Sequence, residues 1–149
     1  MGALILVHGL AHGAWCWSRT RADLVARGHD VLAVDLPLTG LDEDAAALRR
    51  ALDDWGRESV LVGHSYAGLV ISRAAAERPD VQHLVYVAAM LVDGGDVYLD
   101  FQRWMSTRAG EVVTLDTDHS PFMSSPGQFA DLLAGIVDDT KQGVARPTC

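Results

Sequence analysis

Apolar positions along the chain alternate between short continuous runs and stretches of helical period. Residues 3–7 are all apolar and end at His8-Gly9, the pattern of a buried strand. Residues 17–26 predict a helix with Leu24 and Val25 on its inner face, stopped at Gly28. Residues 30–34 (Asp-Val-Leu-Ala-Val) predict a second strand, closed by Asp35-Leu36-Pro37. Leu41, Ala45, Leu48, Leu52 and Trp55 then recur at steps of four, three, four and three, one face of a helix. Asp42, Glu43 and Asp44 fall in its first turn, where the helix dipole favours anions. Residues 59–62 predict a third strand, residues 66–77 a helix that stops before Pro79, and residues 82–90 a fourth strand. Phe101, Trp104 and Met105 follow helical spacing. Residues 111–115 predict a short fifth strand. Phe129, Leu132, Leu133 and Ile136 form the face of a last helix, with Ser125 placed as N-cap and Pro126 at its first position.

Strands alternating with helices predict an α/β fold of three layers, an open parallel sheet of about five strands with helices on both faces. Ligands of such sheets bind at the carboxyl ends of the strands. Residues 1–140 are expected to form a single domain. Residues 141–149 are polar, carry Pro147 and read as a frayed tail.

Composition narrows the function classes. The 149 residues are 49% hydrophobic and 21% charged, which excludes general disorder. Lys and Arg number 12 against 20 Asp and Glu, a formal net charge of −8 without a basic stripe. That balance argues against nucleic-acid and anionic-membrane partners. Two cysteines, Cys16 and Cys149, make no disulfide framework, and residues 1–8 lack a basic leader or a membrane-length apolar run. A cytoplasmic location follows as the expectation. No His-x-x-x-His pair with a helical carboxylate is present, so neither a metal nor another cofactor is implied.

The chemistry clusters just after the strands. Gly63-His64-Ser65-Tyr66-Ala67-Gly68 follows the third strand and opens a helix, the setting of a nucleophile elbow, here in the form G-x-S-x-A. The competing reading is a glycine-rich turn with an inert serine. His8-Gly9-Leu10 follows the first strand, so the backbone N–H of Leu10, with that of Tyr66, could hold a developing oxyanion. A serine hydroxyl needs a base, and His119 is the only histidine after both the elbow and the last predicted strand, which matches the chain order Ser, acid, His; the competing reading is a solvent-exposed loop histidine. The third member should be a carboxylate between Ser65 and His119. Asp96 is preferred and Asp93 is the alternative, each otherwise a solvated loop residue. Gly9, His12, Trp15 and Phe122 are expected to line the substrate site, though residues such as Trp15 and Phe122 are more often plain core.

These residues resemble the α/β-hydrolase superfamily, and within it the small esterases related to plant methylesterases and hydroxynitrile lyases. The resembling text is Leu4-Ile5-Leu6-Val7-His8-Gly9, His12-Gly13-Ala14-Trp15-Cys16-Trp17, Asp35-Leu36-Pro37, the elbow, Val87-Ala88-Ala89-Met90, Asp118-His119-Ser120-Pro121-Phe122 and Ser125-Pro126. The resemblance implies Ser65 as nucleophile, His119 as base and the Leu10 and Tyr66 amides as oxyanion hole. The lyase branch carries threonine at the place of Gly9 and lysine at that of Ser120, so hydrolysis of a small apolar or aromatic ester is the implied activity. Only 54 residues separate Ser65 from His119. Members of the family place a helical cap and a further, acid-bearing strand in that interval.

The expectation is therefore a reduced α/β-hydrolase fold without cap, strand order 2-1-3-4-5. His119 would be displaced sideways by about one strand spacing, ~4.8 Å. The partner would be a small-molecule ester. A homodimer is a further option, since losing the cap would expose apolar surface. The rival functions are a catalytically weak or inactive member that binds a small apolar ligand, and a lyase or cyclase on the same fold.

Overall fold

The computed structural model describes residues 1–89 and 106–141. Four strands, β1 (Ala3–Val7), β2 (Asp30–Val34), β3 (Ser59–His64) and β4 (Val81–Val87), form one parallel sheet in the order β2-β1-β3-β4. The helices described in full are α1 (Ser18–Ala26), α2 (Leu41–Trp55), α3 (Ala67–Ala75), the single turn α4 (Pro121–Ser124) and α5 (Pro126–Lys141), and residues 106–108 are helical as well. A short 3-10 turn, Ala14–Trp17, leads into α1.

Alternation along the strands builds the layers. Leu4 and Leu6 of β1, with Val60 and Val62 of β3, face a core shared with Trp17 and Leu24 and with Phe129 and Leu133 of α5. Ile5, Val7 and Leu61 face the opposite core, with Leu48 and Leu52 of α2 and Val70 and Ile71 of α3. Helices α1 and α5 thus cover one face, and α2 and α3 the other. Both faces of β1 and β3 are dry, which is why these strands read as unbroken apolar runs.

The predicted face of α2 is the buried one, and Gly56 stops the helix in the left-handed conformation at φ 62°. Three expectations need correction. Residues 111–115 form no strand: they are irregular, with Val112 and Val113 exposed, so the order ends at β4 among the described residues. Apolar β-branched residues favour a strand only where a neighbour packs against them. Val25 is 49% exposed, because α1 turns Leu24 and Thr20 inward instead. The third strand runs two residues further than expected, to His64, which carries the chain directly into the elbow. The helical spacing at Phe101, Trp104 and Met105 and the tail from 142 onward lie outside the described residues.

Sheet order reverses between β1 and β3, since the chain moves outward from β1 to β2 and the other way from β3 to β4. The carboxyl ends of these two strands, His8-Gly9 and His64-Ser65, therefore meet at the switch point of the sheet, the place where open α/β sheets bind their ligands.

Candidate active site

Ser65 sits at that switch point with φ 54°, a left-handed conformation that a residue with a Cβ adopts only under constraint. The constraint is visible. The Ser65 N–H donates to Val87 O of β4 at 3.0 Å, and Ser65 O accepts from Gly68 N–H at 3.0 Å as α3 begins. The turn closes because its neighbours are small. A Cβ on Gly63 would lie 2.8 Å from Ala67 O, and one on Gly9 would lie 3.0 Å from the Ser65 Cβ.

The loop after β1 is braced by its histidines. Leu36 N–H donates to His8 Nε2 at 3.0 Å, so His8 Nδ1 carries the ring proton and donates to Gly9 O at 2.8 Å. His8 is 1% exposed and ties β1 to the chain after β2. His12 Nδ1 donates to Leu10 O at 3.0 Å. Neither the Leu10 N–H nor the Tyr66 N–H has a hydrogen-bond partner among the described residues.

His64 joins the elbow to the chain that carries His119. Its Nε2–H donates to His119 O at 2.9 Å, and the two imidazoles lie 4.8 Å apart between centroids. Its Nδ1 is buried without a partner. Burial, chiefly, pulls the His64 pKa down from 6.5 to about 4, with nearby His119, His12 and His8 acting in the same direction and the carbonyl of His119 opposing. The ring is neutral at pH 7.

His119 itself is exposed, and no hydrogen bond links its ring to Ser65 Oγ among the described residues. Asp118 does not orient it: Asp118 Oδ1 accepts from Ser120 N–H at 2.8 Å and from the Ser124 hydroxyl at 3.0 Å, opening α4. Asp96 and Asp93 lie outside the described residues.

Around Ser65 the structure gathers Gly9, His64 and, through His64, His12, with Trp15 stacked on His12 at 5.7 Å. Trp15 is 62% exposed and presents a free aromatic face. Its turn is held by Ala14 N–H donating to Asp35 Oδ1 at 2.6 Å. Phe122 is fully buried, packed on Trp17 and edge-on to His64 and His12, so it supports the rings that surround the serine. Among the described residues no group of three or more His, Cys, Asp or Glu is placed to hold a metal ion, and no helix is long and apolar enough to cross a membrane.

One residue of this neighbourhood stands outside the sequence reading of the site. Asp44, placed at the first turn of α2 as a dipole-favoured anion, is fully buried and accepts a hydrogen bond from the hydroxyl of Tyr66 at 2.7 Å. The two residues are 22 positions apart, and no local pattern connects them.

Comparison with known proteins fits this geometry. A family model described as the alpha/beta hydrolase family matches residues 4–99. Esterase PIR7B of Oryza sativa subsp. japonica is 37% identical over 142 residues, covering 83% of this chain and 52% of the rice protein. Methylesterase 7 of Arabidopsis thaliana is 36% identical over 104 residues, covering 60% of this chain and 40% of its own length. Among solved structures, the methylesterase MES16 from Arabidopsis superposes with TM-score 0.55 at 29% identity, covering 65% of this chain and 47% of that one. A pyrethroid hydrolase from Sphingobium faniae JZ-2 superposes with TM-score 0.76 at 18% identity, covering 95% of this chain and 99% of that one; at this identity the likeness is one of fold. The chain spans about half, or less, of the length of the curated relatives it matches.

Proposed function

The chain belongs to the α/β-hydrolase family, and from that premise we propose that it is a serine esterase acting on small apolar or aromatic esters through an acyl-serine intermediate. One observation carries the reading: Ser65 is held at φ 54° between β3 and α3, with Gly9 so close that a Cβ there would lie 3.0 Å from the serine Cβ.

In the proposed reaction Ser65 Oγ attacks the ester carbonyl and its proton passes to His119. The tetrahedral oxyanion accepts hydrogen bonds from the Leu10 and Tyr66 amides. The protonated His119 then returns its proton to the departing alkoxide as the C–O bond breaks, leaving acyl-Ser65 and an alcohol. Water, deprotonated by His119, attacks the acyl carbonyl; as the acyl–Oγ bond breaks the acid leaves and His119 returns the proton to Ser65 Oγ. The acid that steadies the imidazolium is assigned to Asp96 or Asp93. The exposed rings of Trp15 and His12 offer an apolar face for one side of the ester. Names of relatives support the reaction class, since the rice and Arabidopsis proteins are called esterase and methylesterase.

The catalytically silent reading is favoured by one observation, the absence of a hydrogen bond between Ser65 Oγ and the exposed His119 ring. Catalytic hydrogen bonds of this kind commonly tighten only on binding substrate, so the esterase reading stands ahead.

Labelling of the intact chain with a serine-directed fluorophosphonate, read by mass, decides between them. A single adduct that disappears in Ser65→Ala is the expected result. A cooperatively folded chain that takes no adduct would overturn the esterase reading in favour of a binding role.

A further inference from the structure

We propose that Asp44 is a positioning residue for the oxyanion hole, acting through the phenol of Tyr66 to set the direction of the Tyr66 backbone N–H. Its chemistry rests on the esterase reading above.

Asp44 departs from its neighbours in the first turn of α2. Asp42 is exposed and pairs with Arg73 across the surface at 2.7 Å. Asp44 is fully buried, and both of its oxygens are used within the protein. Oδ1 accepts from the Leu38 N–H at 2.8 Å and Oδ2 from the Tyr66 hydroxyl at 2.7 Å. A carboxylate that served only the helix dipole could do so from the surface, as Asp42 does, without the cost of desolvation. This one instead knits together the loop after β2, where Leu38 stands at φ 54°, the start of α2 and the elbow.

Tyr66 follows Ser65 and leads into α3 with φ −50° and ψ −36°. Its ring packs against the α2–α3 side of the sheet, and its hydroxyl is fixed at the far end of a rigid side chain. An apolar residue of similar size would fill the same volume, but apolar contact has no preferred direction. The hydrogen bond supplies that direction, and an oxyanion donor is effective because it is aimed beforehand. Burial, and then the Asp44 hydrogen bond, push the Tyr66 phenol up to about 12, so the phenol remains a donor at any working pH.

The test uses the full chain and p-nitrophenyl butyrate, comparing wild type with Asp44→Ala, Asp44→Asn and Tyr66→Phe. Losing an oxyanion donor outright costs about 10²–10³ in kcat, so loosening one is expected to cost about tenfold. Tyr66→Phe and Asp44→Ala should show that loss with KM changed less than about twofold. Asp44→Asn should retain kcat within about threefold, because the introduced carboxamide can accept from Leu38 N–H and donate to the Tyr66 oxygen. If Asp44→Ala does not fold, Tyr66→Phe carries the comparison. Lower melting temperatures with kcat at the wild-type value in every folded variant would overturn the proposal, leaving Asp44 a structural residue. If wild type neither hydrolyses the ester nor takes a fluorophosphonate, the esterase reading falls by itself. The Tyr66 amide resonance then decides the positioning: movement in Asp44→Ala but not in Asp44→Asn supports it, and any other pattern overturns it.

Discussion

The side chain of His64 holds the backbone of His119: its Nε2–H donates to the His119 carbonyl at 2.9 Å, across 55 residues of sequence. This bond brings the segment with the candidate base to the end of β3, although the described residues contain no fifth strand to carry it there. It also makes a buried, titratable ring part of the architecture around Ser65.

That ring predicts an acid-sensitive stability. The folded His64 pKa, about 4, lies below the ordinary value of 6.5, because burial penalises the charged form. Between these values the unfolded chain takes up a proton that the folded chain refuses. The contribution is therefore complete above pH 6.5 and is lost as pH falls to about 4. Its size is on the order of 3 kcal/mol. Urea unfolding from pH 7 to pH 4 should show a steeper loss for wild type than for His64→Gln, whose carboxamide can still donate to His119 O. Parallel curves would refute the assignment.

Gly63→Ala should damage the fold and Gly9→Ala the site. A Cβ at Gly63 meets Ala67 O at 2.8 Å and Ile71 Cδ1 at 2.9 Å, so α3 must lift from β3. Overpacking of this sort costs about 1–3 kcal/mol, which thermal melts would register. A Cβ at Gly9 meets Ser65 Cβ and His64 Nδ1 at 3.0 Å and His64 O at 3.1 Å, contacts slightly longer than those at Gly63 but directly on the serine. Its melting temperature should fall less, while fluorophosphonate labelling slows. A reversed order of effects would contradict the packing described.

Cys16 should stay unlabelled by iodoacetamide in the folded chain. It is 5% exposed, and burial drives its thiol pKa up to about 12, leaving almost no thiolate to react. Mass spectrometry of a digest should find Cys16 modified only after unfolding in urea; prompt modification under native conditions would show that the turn carrying Trp15 opens.

Much of this architecture could be read in advance because the signals were local. The α2 face followed from a strict period, α5 from Ser125-Pro126 and its apolar stripe, and the elbow from small residues between a strand and a helix. Residues 111–115 failed because their β-rich composition says nothing about whether a sheet edge is there to receive them. Val25 failed because a nine-residue helix behind a 3-10 turn has too few apolar positions to fix its rotation. At the site, residue types and strand ends were legible, whereas the braces were not. His64 to His119 and Tyr66 to Asp44 join distant positions through single polar atoms, and nothing in hydrophobic periodicity records such pairs.

The bond from Ser65 N–H to Val87 O gives the strained serine a share in the fate of β4. Left-handed backbone at a residue with a side chain is uphill, and this contact helps hold it there. Free energies of this kind are reciprocal. Whatever steadies β4 also raises the fraction of molecules with Ser65 in its left-handed conformation, and whatever loosens β4 lets the serine relax. The backbone strain at Ser65 is thereby indexed to order in β4, so this one serine reports on how completely the strands around it have assembled.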